Sequence, residues 1–188
     1  MSGLRIIAGK FRGRALLAPA DDSIRPTADR AREAIFSVIA SRLGPVFTGL
    51  RVLDLFAGTG ALGLEALSRG AAQAVFVDTG AEARGLIRDN IEALGLGGVA
   101  KLLRRDATSL GPAGTMGPVD LVFLDPPYGK GLGEKALVSL REGQWLAPDA
   151  LIVLEESSAV EVALPAGYAL EERRVYGAAA MHLIAPAG

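Results

Sequence analysis

Residues 51–63 read Arg51-Val52-Leu53-Asp54-Leu55-Phe56-Ala57-Gly58-Thr59-Gly60-Ala61-Leu62-Gly63, and this stretch decides the fold. An apolar run with one acid, Asp54, is followed by a turn with glycines at positions 58, 60 and 63. Glycine lets the backbone turn sharply and approach a ligand closely. The stretch therefore predicts a strand, a ligand-binding turn and a helix over 58–69, which form the first unit of an open α/β sheet.

The segments that follow alternate between strands and helices. Apolar runs predict strands at 74–77, 99–103, 121–124 and 151–154, and helical spacing predicts helices at 81–94 and 131–142. Nearly continuous apolar strands that alternate with helices indicate a parallel sheet covered on both faces. Segments 168–176 and 179–185 are separated only by Gly177-Ala178, so they predict a C-terminal hairpin whose last strand runs antiparallel.

The N-terminal part differs from this pattern. Residues 5–20 are rich in Arg, Lys and Gly and predict a small hairpin or an extended arm. Thr27 is expected to cap a helix over 28–42, which Gly44-Pro45 ends. We therefore divide the chain into an N-terminal arm and helix, 1–45, and an α/β domain, 46–188.

The composition excludes several classes of site. The 188 residues include no cysteine and one histidine, His182, so disulfides, thiolate sites and multi-histidine metal sites are ruled out and no metal is expected. No apolar run is long enough to span a membrane, and the N-terminus lacks the apolar region of a signal peptide. We expect a soluble cytoplasmic protein of one domain with a short extension.

Charge is distributed unevenly along the chain. Residues 1–51 contain nine Lys or Arg and four acids, whereas the whole chain has a formal net charge of -1. A basic arm on an acidic body suits contact with nucleic-acid phosphates, and a solvated charged face explains the pattern equally well. The basic side chains of this segment include Arg5, Lys10, Arg12, Arg14, Arg25 and Arg30.

One acid follows or ends each of the first three predicted strands. Asp54 could accept a hydrogen bond from a ligand ammonium, Asp78 from two ribose hydroxyls, and Asp106 from an adenine amino group. Simpler roles are a helix N-cap for Asp78 and a turn cap for Asp106. The glycines with Asp78 also fit a dinucleotide site, but the acid four residues before the first glycine favours S-adenosylmethionine. We expect the three acids to line one rim of the sheet.

The tetrapeptide Asp125-Pro126-Pro127-Tyr128 follows the predicted strand 121–124. Two prolines make the turn rigid, so carbonyl groups and the Asp125 carboxylate become fixed acceptors. An amino group on a nucleobase is a poor nucleophile, and fixed acceptors for its hydrogens would aim its lone pair at a methyl donor. Tyr128 offers a face on which a flipped base can stack. The tetrapeptide therefore predicts the catalytic centre of an amino-methyltransferase.

The chain resembles the RsmD family over nearly its whole length. The resemblance rests on 5–9, on 11–14, on 25–33 (Arg25-Pro26-Thr27-Ala28-Asp29-Arg30-Ala31-Arg32-Glu33), on 54–66 and on 125–128. One departure is Asp78-Thr79-Gly80, where relatives often have a longer polar residue after the acid, and it affects only loop detail.

The resemblance implies a class I S-adenosylmethionine-dependent methyltransferase fold. Such a fold is Rossmann-like, with a seven-stranded, mostly parallel sheet that ends in an antiparallel hairpin and, here, a short N-terminal extension. It implies methyl transfer to guanine N2 in bacterial 16S ribosomal RNA, with S-adenosylhomocysteine as product, in the small subunit or an assembly intermediate. It also implies that the N-terminal arm and helix contact RNA, and the residues assigned to this contact are Arg5, Lys10, Arg12, Arg14, Arg25 and Arg30. We expect a monomer. The residues assigned to the cofactor are Asp54, Phe56, Ala57, Gly58, Thr59, Gly60, Asp78, Asp106 and Ala107.

Three alternatives stay open from the residues alone. A DNA adenine or cytosine amino-methyltransferase uses the same tetrapeptide but normally carries a separate target-recognition domain. An NAD-binding oxidoreductase shares the glycine turn and Asp78 but does not explain 125–128. A non-enzymatic RNA-binding assembly factor would keep the basic arm and would lack affinity for the cofactor.

Overall fold

The structure, a computed structural model, describes residues 3–20 and 26–188, with side chains from residue 29 onward in the second segment. These residues form seven strands: β1 (Arg51–Leu55), β2 (Gln73–Val77), β3 (Ala100–Leu103), β4 (Val119–Leu124), β5 (Leu146–Ser157), β6 (Tyr168–Tyr176) and β7 (Ala179–Pro186). They also form four α-helices: α1 (Pro26–Leu43), α2 (Ala61–Ser68), α3 (Ala81–Ala93) and α4 (Leu132–Glu142). Among these helices none is both long and apolar enough to cross a membrane.

All seven strands belong to one sheet with the order β3-β2-β1-β4-β5-β7-β6. Strands β1 to β5 are parallel, whereas β7 runs antiparallel to both β5 and β6. The predicted class I fold, with its C-terminal hairpin, is therefore confirmed. The chain order reverses between β1 and β4, and the carboxyl ends of these two strands border the crevice where open α/β sheets bind ligands.

The sheet is covered on both faces because its strands are apolar on both sides. We call the side that packs against α1, α2 and α3 the front face; its core includes Phe36, Phe76 and Phe123. The back face packs against α4, and its core includes Trp145 and Leu154. Since side chains alternate along a strand, neighbouring residues of β1, β4 and β5 contribute to opposite cores.

The N-terminal arm forms a small hairpin. Arg5 and Ala15 make an antiparallel bridge, and the amide of Leu16 donates to the carbonyl of Leu4 at 2.8 Å. Leu4, Ile6 and Leu16 are buried in the front core together with α1. The apolar residues of the predicted arm thus attach the hairpin to the sheet through hydrophobic burial.

Three predicted boundaries are wrong. Helix α2 begins at Ala61 rather than at 58, because Gly58 and Gly60 have φ angles of 59° and 81°, outside the right-handed helical region. Helix α1 begins at Pro26, so Thr27 lies inside the helix rather than before it; proline suits the first helical turn because its missing N–H would have no partner there. Strand β5 begins at Leu146 rather than at 151. Leu146 pairs with Val119 of β4, and the register of the two strands shifts between Val119 and Leu121.

Candidate active site

Asp54 is buried beside the glycine turn. Its Oδ2 accepts from the amide of Gly63 at 3.0 Å, whereas its Oδ1 is buried and has no hydrogen-bond partner among the described residues. A Cβ on residue 63 would lie 2.4 Å from the ring of Phe76, so only glycine can bring its amide this close. An unpaired buried oxygen requires a donor or a proton. Asp54 is therefore suited to a cationic donor such as an ammonium group.

The environment of Asp54 also changes its protonation. Burial raises its pKa to about 8; the hydrogen bond from Gly63 opposes this shift, and the nearby charge of Asp78 adds to it. The carboxyl group is consequently half protonated near pH 8 until a cation or another donor arrives. When Asp54 is ionised, its oxygen can accept a hydrogen bond from the ammonium group of a methionine-type ligand.

The backbone of the turn is shaped for a ligand. Phe56 has a φ of 56°, which is uncommon for a residue with a side chain and costs conformational energy. At Gly58, with a φ of 59°, the space that a Cβ would occupy is open. The turn therefore exposes backbone at the edge of the crevice, where a bound molecule can approach it.

Asp78 connects the end of β2 to the glycine turn. Its Oδ2 accepts from the amide of Gly58 at 2.9 Å, and its Oδ1 accepts from the amide of Gly80 at 2.8 Å. The N-cap of α3 is Gly80, so the N-cap interpretation of Asp78 is wrong. Each carboxylate oxygen has a second lone pair, and the residue can still accept hydroxyl groups while it orients the turn.

Asp106 lies three residues beyond the end of β3 and is exposed. Its Oδ1 accepts from both the backbone amide and the hydroxyl of Thr108, at 2.8 Å and 2.7 Å. These hydrogen bonds lower the pKa of Asp106, so it is an ionised acceptor at neutral pH. Asp106 thus caps its own turn, whereas Asp54 and Asp78 accept amides at the glycine turn and at the start of the helix after it.

The tetrapeptide 125–128 leaves the sheet directly after β4. Pro126 is buried, whereas Asp125, Pro127 and Tyr128 are exposed, and Tyr128 retains 42% of its accessible surface. The amide of Gly129 donates to Oε1 of buried Glu156 at 3.0 Å. Rigid prolines at one end and this hydrogen bond at the other hold the turn in place, with the ring of Tyr128 available for stacking.

Asp125 belongs to an acidic cluster. Asp125 is exposed on one side, but the surrounding protein desolvates it, and this desolvation is the largest cause of its raised pKa. Glu155, followed by the charge of Asp54, raises this pKa further. The pKa of Tyr128 is raised by desolvation and by the charges of Glu155, Asp125 and Glu156. The site therefore concentrates carboxyl groups that hold protons, and a cationic ligand or amino-group donors would stabilise their ionised forms.

Glu155 and Glu156 were not predicted from the sequence. A signal was available, because both follow the apolar run 151–154 in the same way that Asp54, Asp78 and Asp106 end or follow the first three strands. Their side chains reach the tetrapeptide only because β5 pairs with β4. The buried Asn90 and Glu65 were also missed, since a single polar residue within a helix does not reveal what it contacts.

The predicted RNA-contacting side chains lie on the surface of the arm and of α1. Arg5, Lys10, Arg12, Arg14 and Arg30 are exposed, and Arg25 lies outside the described residues. Two of them also hold the hairpin: Arg5 donates to the carbonyl of Gly13 at 2.8 Å, and Arg14 to that of Ala93 at 3.0 Å. The hairpin thus displays positive charge in a defined arrangement.

The hairpin is attached to α2 by a buried carboxylate. Glu65, fully buried, accepts from the amides of Ile7 and Ala8 at 2.8 Å and 3.0 Å and from Nε of Arg69 at 2.9 Å. A Cβ at position 9 would lie 2.0 Å from the carbonyl oxygen of Ser68, so glycine is required at the contact. The arm is therefore fixed relative to the sheet.

Comparison with known proteins finds relatives over nearly the whole chain. A family profile described as "Conserved hypothetical protein 95" matches residues 4–185. The chain is 41% identical to Ribosomal RNA small subunit methyltransferase D of Escherichia coli strain K12 over 184 residues, which cover 96% of this chain and 88% of that protein. A solved structure of the Escherichia coli protein yhhF has a TM-score of 0.81 and 37% identity, with 97% of each chain covered.

A further relative names its target atom. The tRNA (guanine(6)-N2)-methyltransferase of Thermus thermophilus is 36% identical over 146 residues, which cover 71% of this chain and 42% of that protein. The orphaned acceptor of Asp54 and the acidic site fit S-adenosylmethionine, which is the cofactor. The chain belongs to the RsmD family of S-adenosylmethionine-dependent methyltransferases, whose profile is described as "Conserved hypothetical protein 95".

Proposed function

We propose that this protein transfers a methyl group from S-adenosylmethionine to the N2 amino group of a guanosine in 16S ribosomal RNA, in the small subunit or an assembly intermediate. The similarity to a small-subunit ribosomal RNA methyltransferase supports the RNA, and the relative whose name specifies guanine N2 supports the atom. The observation that supports the chemistry most is the rigid turn 125–128 beside Asp54. The turn offers oxygens that can accept from the amino group to be methylated, and Asp54 offers an oxygen for the cationic methyl donor.

The cofactor supplies an electrophilic methyl carbon on a sulfonium centre. We assign its ammonium group to Asp54, its ribose hydroxyls to Asp78 and its adenine amino group to Asp106. The hydrogen bonds of Asp78 and Asp106 keep these carboxylates oriented before binding. The backbone assigned to contact the cofactor belongs to Phe56, Ala57, Gly58, Thr59, Gly60 and Ala107.

The acceptor nitrogen is held by the tetrapeptide. The lone pair of a guanine amino group is delocalised into the ring, so the nitrogen attacks only when its hydrogens are held in fixed directions. Asp125 and the carbonyls beside Pro126 and Pro127 accept these hydrogens, and the exposed ring of Tyr128 stacks on the base. The base must leave its helix to reach this turn, as bases do in other enzymes that modify them.

Residues 1–45 are assigned to RNA contact and residues 46–188 to methyl transfer. The basic arm lies on the front side of the molecule and is anchored to α2, the helix that follows the cofactor turn. Cationic side chains fixed on such a support neutralise phosphates without a large loss of conformational entropy. A monomer is sufficient for this arrangement, because a single chain carries the arm, both turns and the acids.

The proposal is tested with purified protein, tritiated S-adenosylmethionine and small subunits from a bacterial strain that lacks its own methyltransferase of this family. We expect one N2-methylguanosine in 16S RNA, located by nuclease mapping and mass spectrometry, and no incorporation by Asp125→Ala. Comparison of free RNA with assembled subunits identifies the preferred substrate. Methylation of an adenine or cytosine amino group instead would overturn the choice of guanine, and no incorporation into either RNA form would overturn the function.

A further inference from the structure

The carboxyl ends of β4 and β5 bring two acids side by side. Leu124 and Leu154 are register partners in this parallel pair, so Asp125 and Glu155 occupy the next position on each chain. Phe123 and Val153, the preceding partners, both belong to the front core. By the alternation of strand side chains, the two acids emerge on that same face. The two carboxyl groups therefore lie next to each other at the ends of the paired strands, and Glu155 is, after burial, the main cause that raises the pKa of Asp125.

The other neighbours hold Glu155 in this position. The charge of Glu155 also raises the pKa of Tyr128, after the larger effect of desolvation, so the two side chains are close. On the other side of β5, its register partner is Met181 of β7, which is buried and apolar. The charges that act on Asp125 come from Glu155 on β5 and Asp54 on β1, and both are acidic. Glu155 thus acts electrostatically on both functional side chains of the tetrapeptide.

We propose that Glu155 is a positioning residue for methyl transfer: it shares one proton with Asp125, makes that carboxylate a stronger base, and acts on Tyr128 through its charge. The inference rests on the proposed function, since it assigns the path of the proton that an amino group loses on methylation. Glu155 acts through Asp125 and Tyr128 and does not itself contact the base.

The role of the Asp125–Glu155 pair follows from the proton that the amino group loses when it is methylated. The lone pair of the amino nitrogen forms the N–C bond while the C–S bond breaks onto sulfur, and the nitrogen becomes cationic. One N–H bond then breaks, its electrons stay on nitrogen, and the proton moves to the Asp125–Glu155 pair. The ionised pair accepts this proton and becomes the singly protonated pair, which releases it to solvent after the product leaves.

The pH dependence follows from the proximity of the two acids. Two neighbouring desolvated carboxyl groups resist ionising together, because the second charge is opposed by the first. Burial and Glu155 raise the pKa of Asp125, so the pair loses its last proton only as pH rises through this raised pKa. Turnover is therefore expected to rise with pH over the same range.

The test replaces Glu155 with Gln, which keeps the size and hydrogen-bonding capacity of the side chain and removes its charge. We expect the rise in kcat to move about one pH unit or more towards acid, because the like charge is gone. The plateau of kcat should fall about tenfold, because Asp125 becomes a weaker base. Glu161→Gln, the same change at an exposed position after β5, should leave the profile unchanged.

A second measurement needs neither substrate nor cofactor. Carbon-13 NMR of aspartate-labelled protein, with the Asp125 signal assigned from Asp125→Asn, should show Asp125 titrating at lower pH in Glu155→Gln than in the wild type. An unchanged Asp125 titration would overturn the shared proton, and so would a kcat loss in Glu155→Gln without a shift of the profile. A wild-type protein that methylates no RNA while Asp125 still shifts would instead contradict the proposed function.

Discussion

Asn90 and Leu17 are joined by two hydrogen bonds that connect α3 to the end of the arm. Oδ1 of Asn90 accepts from the amide of Leu17 at 2.7 Å, and its Nδ2 donates to the carbonyl of Leu17 at 3.1 Å. The same Nδ2 donates to the carbonyl of Thr59 at 3.0 Å, within the glycine turn. Because Asn90 is 1% exposed, water cannot replace these bonds, and one side chain links the arm to the cofactor turn.

Replacing Asn90 with Ala should therefore affect both stability and cofactor binding. The carbonyl of Thr59 and the backbone of Leu17 would lose buried partners, which costs about 1–3 kcal/mol for an unsatisfied buried group. We expect a lower free energy of unfolding in urea and a several-fold weaker Kd for S-adenosylmethionine by calorimetry. Asp89→Ala, at the exposed neighbouring position, is the control. An unchanged Kd would show that the turn does not depend on this link.

Asp54→Asn should change how stability depends on pH. The pKa of Asp54 in the folded protein is about 8, above its ordinary value of 3.8, so the native state retains a proton that the unfolded state has lost. Its contribution to stability is therefore complete below about pH 4 and is lost as pH rises through about 8. We expect the unfolding free energy of the wild type to decline over this range more steeply than that of Asp54→Asn. Parallel curves would contradict the buried acid.

Glu65→Gln should loosen the arm and leave the sheet intact. The amide group of glutamine cannot accept all three hydrogen bonds that the carboxylate accepts from Ile7, Ala8 and Arg69. We expect faster hydrogen exchange at the amides of Ile7 and Ala8 and weaker RNA binding, with turnover reduced mainly through KM. Glu92→Gln, at an exposed position of α3, is the matched control. Unchanged exchange at these amides would mean that Glu65 does not hold the arm.

Charge removal on the arm should act through phosphate contacts. Lys10 and Arg12 are exposed, so replacing each with Ala should weaken RNA binding at every ionic strength used. If each residue neutralises one phosphate, the slope of log K against log salt should fall by about 1 per substitution. The affinity for S-adenosylmethionine should not change. A salt slope identical to that of the wild type would exclude these residues from the RNA interface.

Tyr128 should tolerate Phe far better than Ala. Phenylalanine keeps a ring for stacking, and loss of base stacking costs about 1–3 kcal/mol in other nucleic-acid-binding proteins. We expect Tyr128→Ala to lose most turnover with unchanged cofactor affinity, and Tyr128→Phe to retain turnover within a few-fold. Single-turnover kinetics with subunits as substrate provides the measurement. Full activity of Tyr128→Ala would remove the stacking role.

Local sequence patterns predicted much of the fold. Strands β1 and β2 and helix α4 begin and end within a residue of their predicted limits, because continuous apolar runs and helical spacing depend only on neighbouring residues. The start of α2 was missed because helical spacing begins at Gly58, whereas the left-handed conformation of the turn postpones the helix to Ala61. The length of β5 was missed because its first five residues include Pro148 and Asp149, which interrupt the apolar run, and because the pairing of Leu146 with Val119 of β4 depends on the backbone.

The sequence by itself determined the α/β fold, the glycine turn with Asp54, and the turn 125–128, since glycine, proline and hydrophobic period act over a few residues. Tertiary structure decided which distant groups meet. Asp125 meets Glu155 only through the register of β4 with β5, and the amides of Ile7 and Ala8 meet Glu65 only when the hairpin lies on α2. The register of the strands and the position of the hairpin depend on the burial of distant residues in a shared core. A local sequence pattern does not predict such burial, because it involves only neighbouring residues.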